Sequence, residues 1–401
     1  MLRSRLLPLT ATMLFFYALF DGLLAFILPI QITSLGFSKS QMGLIIGSSN
    51  IFGALFDFVL AKFITNTSYR RLYLIVFGLC FVYPLLLWSS KTIPLFMISM
   101  AVWGLYGDLN LYATFDFVSR RSKPQDHCKS FGVIGIFRSL GYLIAPIIAG
   151  LIIAETIDFF PYSLSLSFVL VSVFFLLILL QFSPKKDSPE YDHKARYRHF
   201  NFFKEFTLLR KVAQILFPVL IFNITLYIFD ATFWTIGPLF SESFSNFRNF
   251  GGLFMAAYTL PVLLVNWFVN PITNKFGKKK TAYISFLLGC VLLIPIGFIK
   301  EPLLIICLTF ISSLFNSLAW PAIDGAYADY ISESRSYQKE IISLTDFTCN
   351  LGYIIGPITA GLMADLIGNQ NVFMALGVGS VFVVLMLILI TPKHINVVLH
   401  R

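Results

Sequence analysis

Charge is what this sequence lacks. Asp, Glu, Lys and Arg make up 12% of its 401 residues, about half of the roughly 25% found in soluble domains. So few charges cannot clothe a core in water-compatible surface, and a soluble globular protein is excluded. Cysteine is sparse too. Cys80, Cys128, Cys290, Cys307 and Cys349 show no C-x-x-C spacing, which argues against a disulfide framework and a thiolate metal site. The histidines His127, His193, His199, His394 and His400 all fall in loops or tails. No metal-spaced His pair, no Ser-His or Cys-His combination within an apolar run and no phosphate loop is present. No metal, no cofactor and no enzymatic activity is therefore expected. The charge that exists is unbalanced, with a net of +10. Its basic residues stand in short clusters between apolar runs, a placement that suits membrane topology, so no nucleic-acid partner is expected.

What is abundant is apolar. Hydrophobic residues are 57% of the chain, Phe alone contributes 44, and the mean hydropathy is +0.80. Twelve apolar runs of about 20 residues follow one another from near position 9 to near position 391. Each is long enough to cross a bilayer as a helix. Lipid cannot satisfy free backbone groups, which favours helices, and the runs are too long and too continuous for barrel strands. The first run extends to about Ile32 without a small-residue cleavage site, so it reads as a span rather than a signal peptide. The expected fold class is an all-α polytopic membrane protein with twelve transmembrane helices, and the lipid bilayer is its first partner.

Orientation follows from Lys and Arg. With both termini cytoplasmic, 25 of the 30 basic residues lie inside, Lys39, Lys91, Arg248 and Lys300 lie outside, and Arg138 falls within a span. This positive-inside bias predicts an integral protein of the plasma (inner) membrane. The longest polar stretch, 183–211, divides the chain into a six-helix half at 1–182 and another at 212–401. Within it, Phe200, Phe203 and Phe206 recur at helical spacing among Lys and Arg, which predicts an amphipathic helix on the inner leaflet; a solvated linker is the alternative.

The chain repeats itself. "LGYLIAPIIAGL" at 140–151 and "LGYIIGPITAGL" at 351–362 agree at nine of twelve positions. "FITNTSYRRLYLI" at 63–75 resembles "PITNKFGKKKTAYI" at 271–284, "ATFDFVS" at 113–119 resembles "AYADYIS" at 326–332, and "FDGLLAFILP" at 20–29 is answered by "FDATFWTIGP" at 229–238. All four pairs are offset by 208 to 213 residues. Four ordered matches indicate two homologous halves, a transporter architecture.

On these residues the chain resembles the major facilitator superfamily over its whole length. That family's loop between helices 2 and 3 carries G-x-L-A-D-R-x-G-R-R, traced here weakly in Lys62–Arg71 and better in Asn270–Lys280, with Asn66 and Asn274 in place of the Asp. The helix-5 pattern of some antiporters is similar to Gly141-x-x-x-Ala145-Pro146-x-x-Ala149-Gly150 and recurs at Gly352–Gly361. These small residues allow close helix packing; a hinge is the alternative reading. The helix-4 arginine of many proton antiporters would fall near Trp103 and is absent.

The resemblance implies that spans 1, 4, 7 and 10 line a central cavity. The sequence places one acid in each: Asp21, Asp108, Asp230 and Asp324. A mid-membrane carboxylate costs roughly 2.5–3.5 kcal/mol on insertion scales, so four cost about 10 kcal/mol, comparable to the stability of a domain. Such groups must face water, protons or partners. Residues one or two turns away share a helix face. This puts Tyr17 beside Asp21 and Tyr112 beside Asp108. It puts Asn223, Tyr227 and Trp234 around Asp230, and Asn316 and Trp320 around Asp324. Aromatic faces beside carboxylates can hold an organic cation; plain packing or interfacial anchoring is the alternative. Pro29 and Pro238 release the carbonyls of Ala25 and Trp234, one turn beyond each Asp.

Arg138 and Asp108 sit at similar depth, so an ion pair and an anchor for an anionic solute are both open. Asp346 shares a face with Asn350 and is a further cavity candidate. Asp116 and Asp329, at matching repeat positions, are expected to contact loop bases such as Arg70, Arg71 and Lys278. Burial favours protonated carboxylates, which makes the four span acids candidate proton carriers; sodium is an equal formal possibility.

The resemblance then implies a secondary transporter, expected to be a monomer, that moves a small solute by alternating access. The acid excess tilts the expectation toward proton-coupled efflux of cationic or amphiphilic compounds. Uptake of a sugar, metabolite or organic anion is the alternative.

Overall fold

The computed structural model describes residues 2–63, 67–122, 126–153, 157–182, 202–244, 251–265, 268–334 and 337–392. Among these the chain is helical almost throughout. The first half holds α1 (Leu2–Ser34), α2 (Lys39–Phe63), α3 (Tyr69–Ser89), α4 (Ile93–Arg121), α5 (His127–Ile152) and α6 (Phe160–Phe182). The second holds α7 (Phe202–Glu242), α8 (Gly251–Val265), α9 (Val269–Phe276), α10 (Lys278–Leu293), α11 (Pro302–Glu333), α12 (Gln338–Ile367) and α13 (Asn369–Ile390), with a 3-10 turn, Ile294–Phe298, closing α10.

Among the described residues, nine of these helices are long and apolar enough to cross a membrane, and ten crossings result if α8 and α9, bent by 71°, form one. Of the remaining helices, α4 carries Asp108, Asn110 and Asp116, which keep it below that apolarity, so the described residues give nine or ten of the twelve expected crossings.

Much of the central stretch, including Phe200, lies outside the described residues. From Phe202 onward the chain is already the start of α7, whose 41 residues span about 60 Å at 1.5 Å per residue, twice the hydrocarbon core of roughly 30 Å.

Helix 1 of each half packs on helix 5 of that half through the repeated glycines. A Cβ on Gly141 would stand 2.6 Å from the Ala18 Cβ and 2.7 Å from the Phe15 carbonyl oxygen, and one on Gly352 would collide with Tyr227. Packing is thus the role these small residues play in this conformation.

Among the described residues, the two halves meet closely at the end of the turn between α1 and α2. A Cβ on Gly43 would collide with the carbonyl of Pro357, one on Gly361 with that of Lys39, and one on Gly252 with that of Pro146. Asp365, near the end of α12, accepts the backbone N–H groups of Lys39 (3.1 Å) and Ser40 (2.8 Å) and the Ser40 hydroxyl (2.5 Å). It thereby satisfies donors that the first turn of α2 leaves free. One half caps a helix of the other, and the cavity between them opens away from this clamp.

Candidate functional site

Between the halves lies a cavity of about 500 Å³. From the first half, Asp21, Asn50, Trp103, Asp108, Arg138 and Tyr142 reach its wall. From the second come Asp230, Trp234, Tyr258, Trp320, Asn350 and Tyr353, with Asn316 behind Ser313. Ala25 and Trp234, whose carbonyls the prolines release, are both on the wall.

Two carboxylates are held by aromatic hydroxyls, one in each half. Asp21, only 7% exposed, accepts three hydrogen bonds. Trp103 Nε1 (3.0 Å) and the Tyr106 hydroxyl (2.6 Å) donate to Oδ1, and the Tyr142 hydroxyl (2.7 Å) donates to Oδ2. Asp230 accepts two, from the Tyr258 hydroxyl on Oδ1 (2.5 Å) and the Tyr353 hydroxyl on Oδ2 (2.6 Å).

Tyr142 and Tyr353 are the same residue of the repeat, the third of "LGY". The glycine before each lets helix 5 of its half approach helix 1 closely, at Ala18 and at Tyr227. Three residues further along helix 1 stands the Asp, within reach of the tyrosine. The sequence contained the signal, an identical Tyr in both repeat copies, but periodicity around each Asp looks only along its own helix and misses a donor from another.

The second set of donors is not shared. Asp21 takes Trp103 and Tyr106 from α4. The residues 210 positions later, on α11, are Ser313 and Asn316, too short to serve. Asp230 instead takes Tyr258 from α8, whose backbone carbonyl accepts the Ser313 hydroxyl and whose ring stacks on Phe233 at 4.1 Å and 6°.

Arg138 is one turn from Tyr142 on α5 and lines the cavity with it, which puts a guanidinium beside the phenol that binds Asp21. Arg138 and Asp108 share the wall, and Asp108 faces Gly53, where a Cβ would stand 2.8 Å from its Oδ2.

Several expected wall residues lie elsewhere. Tyr17 is buried in the first half's core against Phe20, Phe77 and Tyr106. Its position one turn before Asp21 points it inward, because the Asp itself is turned toward α4 and α5. Asn223 is 1% exposed and donates to Thr348 at 2.8 Å, tying α7 to α12. Tyr112 is exposed and off the wall. Tyr227 sits behind it, its ring 4.8 Å from Trp320 and 5.4 Å from Tyr353. Asp324 and Asp346 are exposed and are not part of the wall. Asp324 follows Trp320 by one turn on α11, toward the open end.

At that end the two repeat acids hold matching helix starts in different ways. Asp116 accepts the backbone N–H of Tyr69, the first residue of α3, at 2.7 Å and pairs with Arg120 at 2.6 Å. Asp329 pairs with the side chain of Lys278, the first residue of α10, at 2.6 Å. Arg70 donates to the carbonyl of Leu180 at 2.9 Å, near the end of α6, as its counterpart Lys279 does to Pro392 beyond α13. Arg71 is exposed. Asp329 thus has the expected loop base as partner, whereas Asp116 is held by a backbone donor and by a base of its own helix.

Comparison with known proteins agrees with this architecture. The chain is 22% identical to the quinolone resistance protein NorA of Staphylococcus aureus (strain COL) over 379 residues, 92% of each chain. It is 23% identical to a multi-drug resistance efflux pump PmrA homolog of Lactococcus lactis subsp. lactis (strain IL1403) over 172 residues, 41% of each. In structure it is similar to the nucleoside transporter NupG, with a TM-score of 0.71 at 16% identity, covering 98% of this chain and 100% of that one. A bacterial homolog to the human lysosomal transporter Spinster gives 0.70 at 12% identity, covering 97% and 95%. These structural likenesses show the fold. The family model described as Major Facilitator Superfamily matches residues 10–247 and 219–398, and with both halves matched this chain belongs to that superfamily.

Proposed function

We propose that this transporter expels organic cations and cationic amphiphiles across the plasma membrane in exchange for protons, as a monomer with both termini in the cytoplasm. The observation that carries this reading is the cavity wall. Among the described residues it presents Asp21, Asp108 and Asp230 against the single base Arg138, with Trp103, Trp234 and Trp320 among them. A desolvated organic cation is stabilised by carboxylates and by aromatic faces, whereas an anion would meet three acids and one arginine. The relatives named for quinolone and multi-drug resistance support export. The positive-inside bias supports an orientation in which the clamped end is external and the cavity opens to the cytoplasm. A carboxylate on this wall accepts a proton or a cation at the same atoms, so a proton as coupling ion needs no additional site; sodium is a testable substitute.

Proteoliposomes containing a pH dye test the reading. Addition of tetraphenylphosphonium or another lipophilic cation is expected to drive proton movement that Asp230→Asn abolishes. Solute flux with no proton signal, insensitive to that substitution and dependent on sodium, would replace proton exchange by sodium coupling. Flux confined to sugars or organic anions would overturn the cation reading.

A further inference from the structure

The wall holds two hydroxyl-bound carboxylates that look alike in sequence, yet their surroundings assign them different work. A carboxylate offers about four lone-pair sites. On Asp21 three are taken by Trp103, Tyr106 and Tyr142, and the side chain is almost wholly enclosed. On Asp230 two are taken, one on each oxygen, and the residue is half-buried on the cavity wall. A ligand can therefore reach Asp230, where two sites stay open beside the cavity, whereas Asp21 keeps a single site on a side chain its neighbours almost wholly enclose.

The two donors on Asp230 are themselves fixed. Tyr258 is held by the Phe233 stack and by Ser313 on its carbonyl, and Tyr353 rests against Tyr227 beside Gly352, which seats α12 on α7. Hydroxyls fixed in this way favour the ionised carboxylate over the protonated one and aim its free lone pairs into the cavity. Few other groups bear on Asp230. Tyr227 lies one turn back on α7 and Cys349 lies on α12. Across the cavity stand Arg138, Asp21 and Asp108. α8 contributes Tyr258, Thr259 and Val262, and α11 contributes Ser313, Asn316, Ser317 and Trp320, none of which titrates near neutrality.

We infer that Tyr258 and Tyr353 are positioning residues that fix the Asp230 carboxylate at the cavity edge for the incoming cation, and that Asp21 is a locked carboxylate that takes no part in exchange. This rests on the cation reading above. In the exchange the cation takes the place of the proton on Asp230, and that proton leaves to water in the cavity.

The test is equilibrium binding of tetraphenylphosphonium, whose charge does not titrate, to the full-length protein across the acid-to-neutral range. Binding to the wild type falls as Asp230 takes up a proton. Tyr258→Phe and Tyr353→Phe keep the rings and remove one hydroxyl each; each is expected to move the midpoint toward alkaline pH by about one pH unit, and the double variant further. Tyr142→Phe changes affinity through its contacts with Arg138 and Trp234 but is expected to leave the midpoint in place. If both Phe variants lower affinity equally at every pH, the rings only pack and the inference fails. It fails also if Tyr142→Phe moves the midpoint as far. Asp230→Asn separates the levels. Binding lost in that variant, with unmoved midpoints in the others, sinks the clamp alone; binding retained sinks the cation seat and the clamp together.

Discussion

The two halves share a repeat but not an interior. Around Asp21 the first half packs tyrosines, with Tyr17, Tyr83 and Tyr106 meeting edge-on at 5.5–6.4 Å among themselves and with Phe20. Around Phe233 the second half packs phenylalanines, with Phe229, Phe254 and Phe373 within 4.9–6.0 Å. A polar aromatic core can enclose a carboxylate and satisfy it. A hydrocarbon core cannot, so Asp230 stays at the cavity edge with only the donors that α8 and α12 extend to it. Duplication supplied two equivalent acids, and the divergence of α4 from α11 made one of them structural and left the other accessible.

The largest difference between the halves is expected at the two acids. Asp21→Asn leaves one accepting oxygen where three donors converge and sets an NH2 against the rest, at a cost of about 1–3 kcal/mol. Thermal unfolding of the purified protein should show a large loss for Asp21→Asn and a small one for Asp230→Asn, with ligand binding showing the reverse order. Equal stability losses would mean the acids are not differentiated.

The glycine seams come next. Gly141→Ala and Gly352→Ala each force a Cβ into the neighbouring helix, an overpacking that costs roughly 1–3 kcal/mol. Here the halves should behave alike, because the seam is the part of the repeat that both retain. A loss in only one half, read by the same melting experiment, would show that the seams have diverged as well.

A third contrast concerns the two ends of the molecule. Asp365→Ala removes the cap from α2, worth about 1 kcal/mol, and should raise the population open at the clamped end about fivefold. Spin labels at Leu44 and Leu366, both exposed, would report a longer distance. An unchanged distribution would leave the glycine contacts as the whole clamp.

The smallest effect is expected at the open end. Lys278→Met breaks a pair whose side chains are 37% and 48% exposed, so solvent screening holds its worth below about 1 kcal/mol. Arg120→Met should matter still less, because Asp116 keeps the backbone N–H of Tyr69. A difference in the opposite sense would show that the loop bases, rather than the helix starts, govern this end.

Hydropathy, basic-residue placement and the repeat were legible because each depends on local composition. A span needs about 20 apolar residues wherever it packs, and a duplicated chain keeps its words in order. The presence of acids in spans 1, 4, 7 and 10 was legible for the same reason. Which way each acid faces was not. Tyr17 and Asn223 share a helical stripe with their Asp, yet point into the core or onto a neighbouring helix, because a stripe on one helix does not say which neighbour covers it. Asp324 and Asp346 read like Asp21 and Asp230 in sequence and lie off the wall. The donors on Asp21 and Asp230 come from α4, α5, α8 and α12, from 28 to 123 residues away along the chain, and those from α4 and α8 tell the two acids apart. Residue order alone carried a duplicated, polytopic helical membrane protein with a few costly carboxylates. Which of them is enclosed and which is open to a ligand was settled in three dimensions, because hydrogen-bond partners and solvent access are set by helices that meet in space and not by neighbours along the chain.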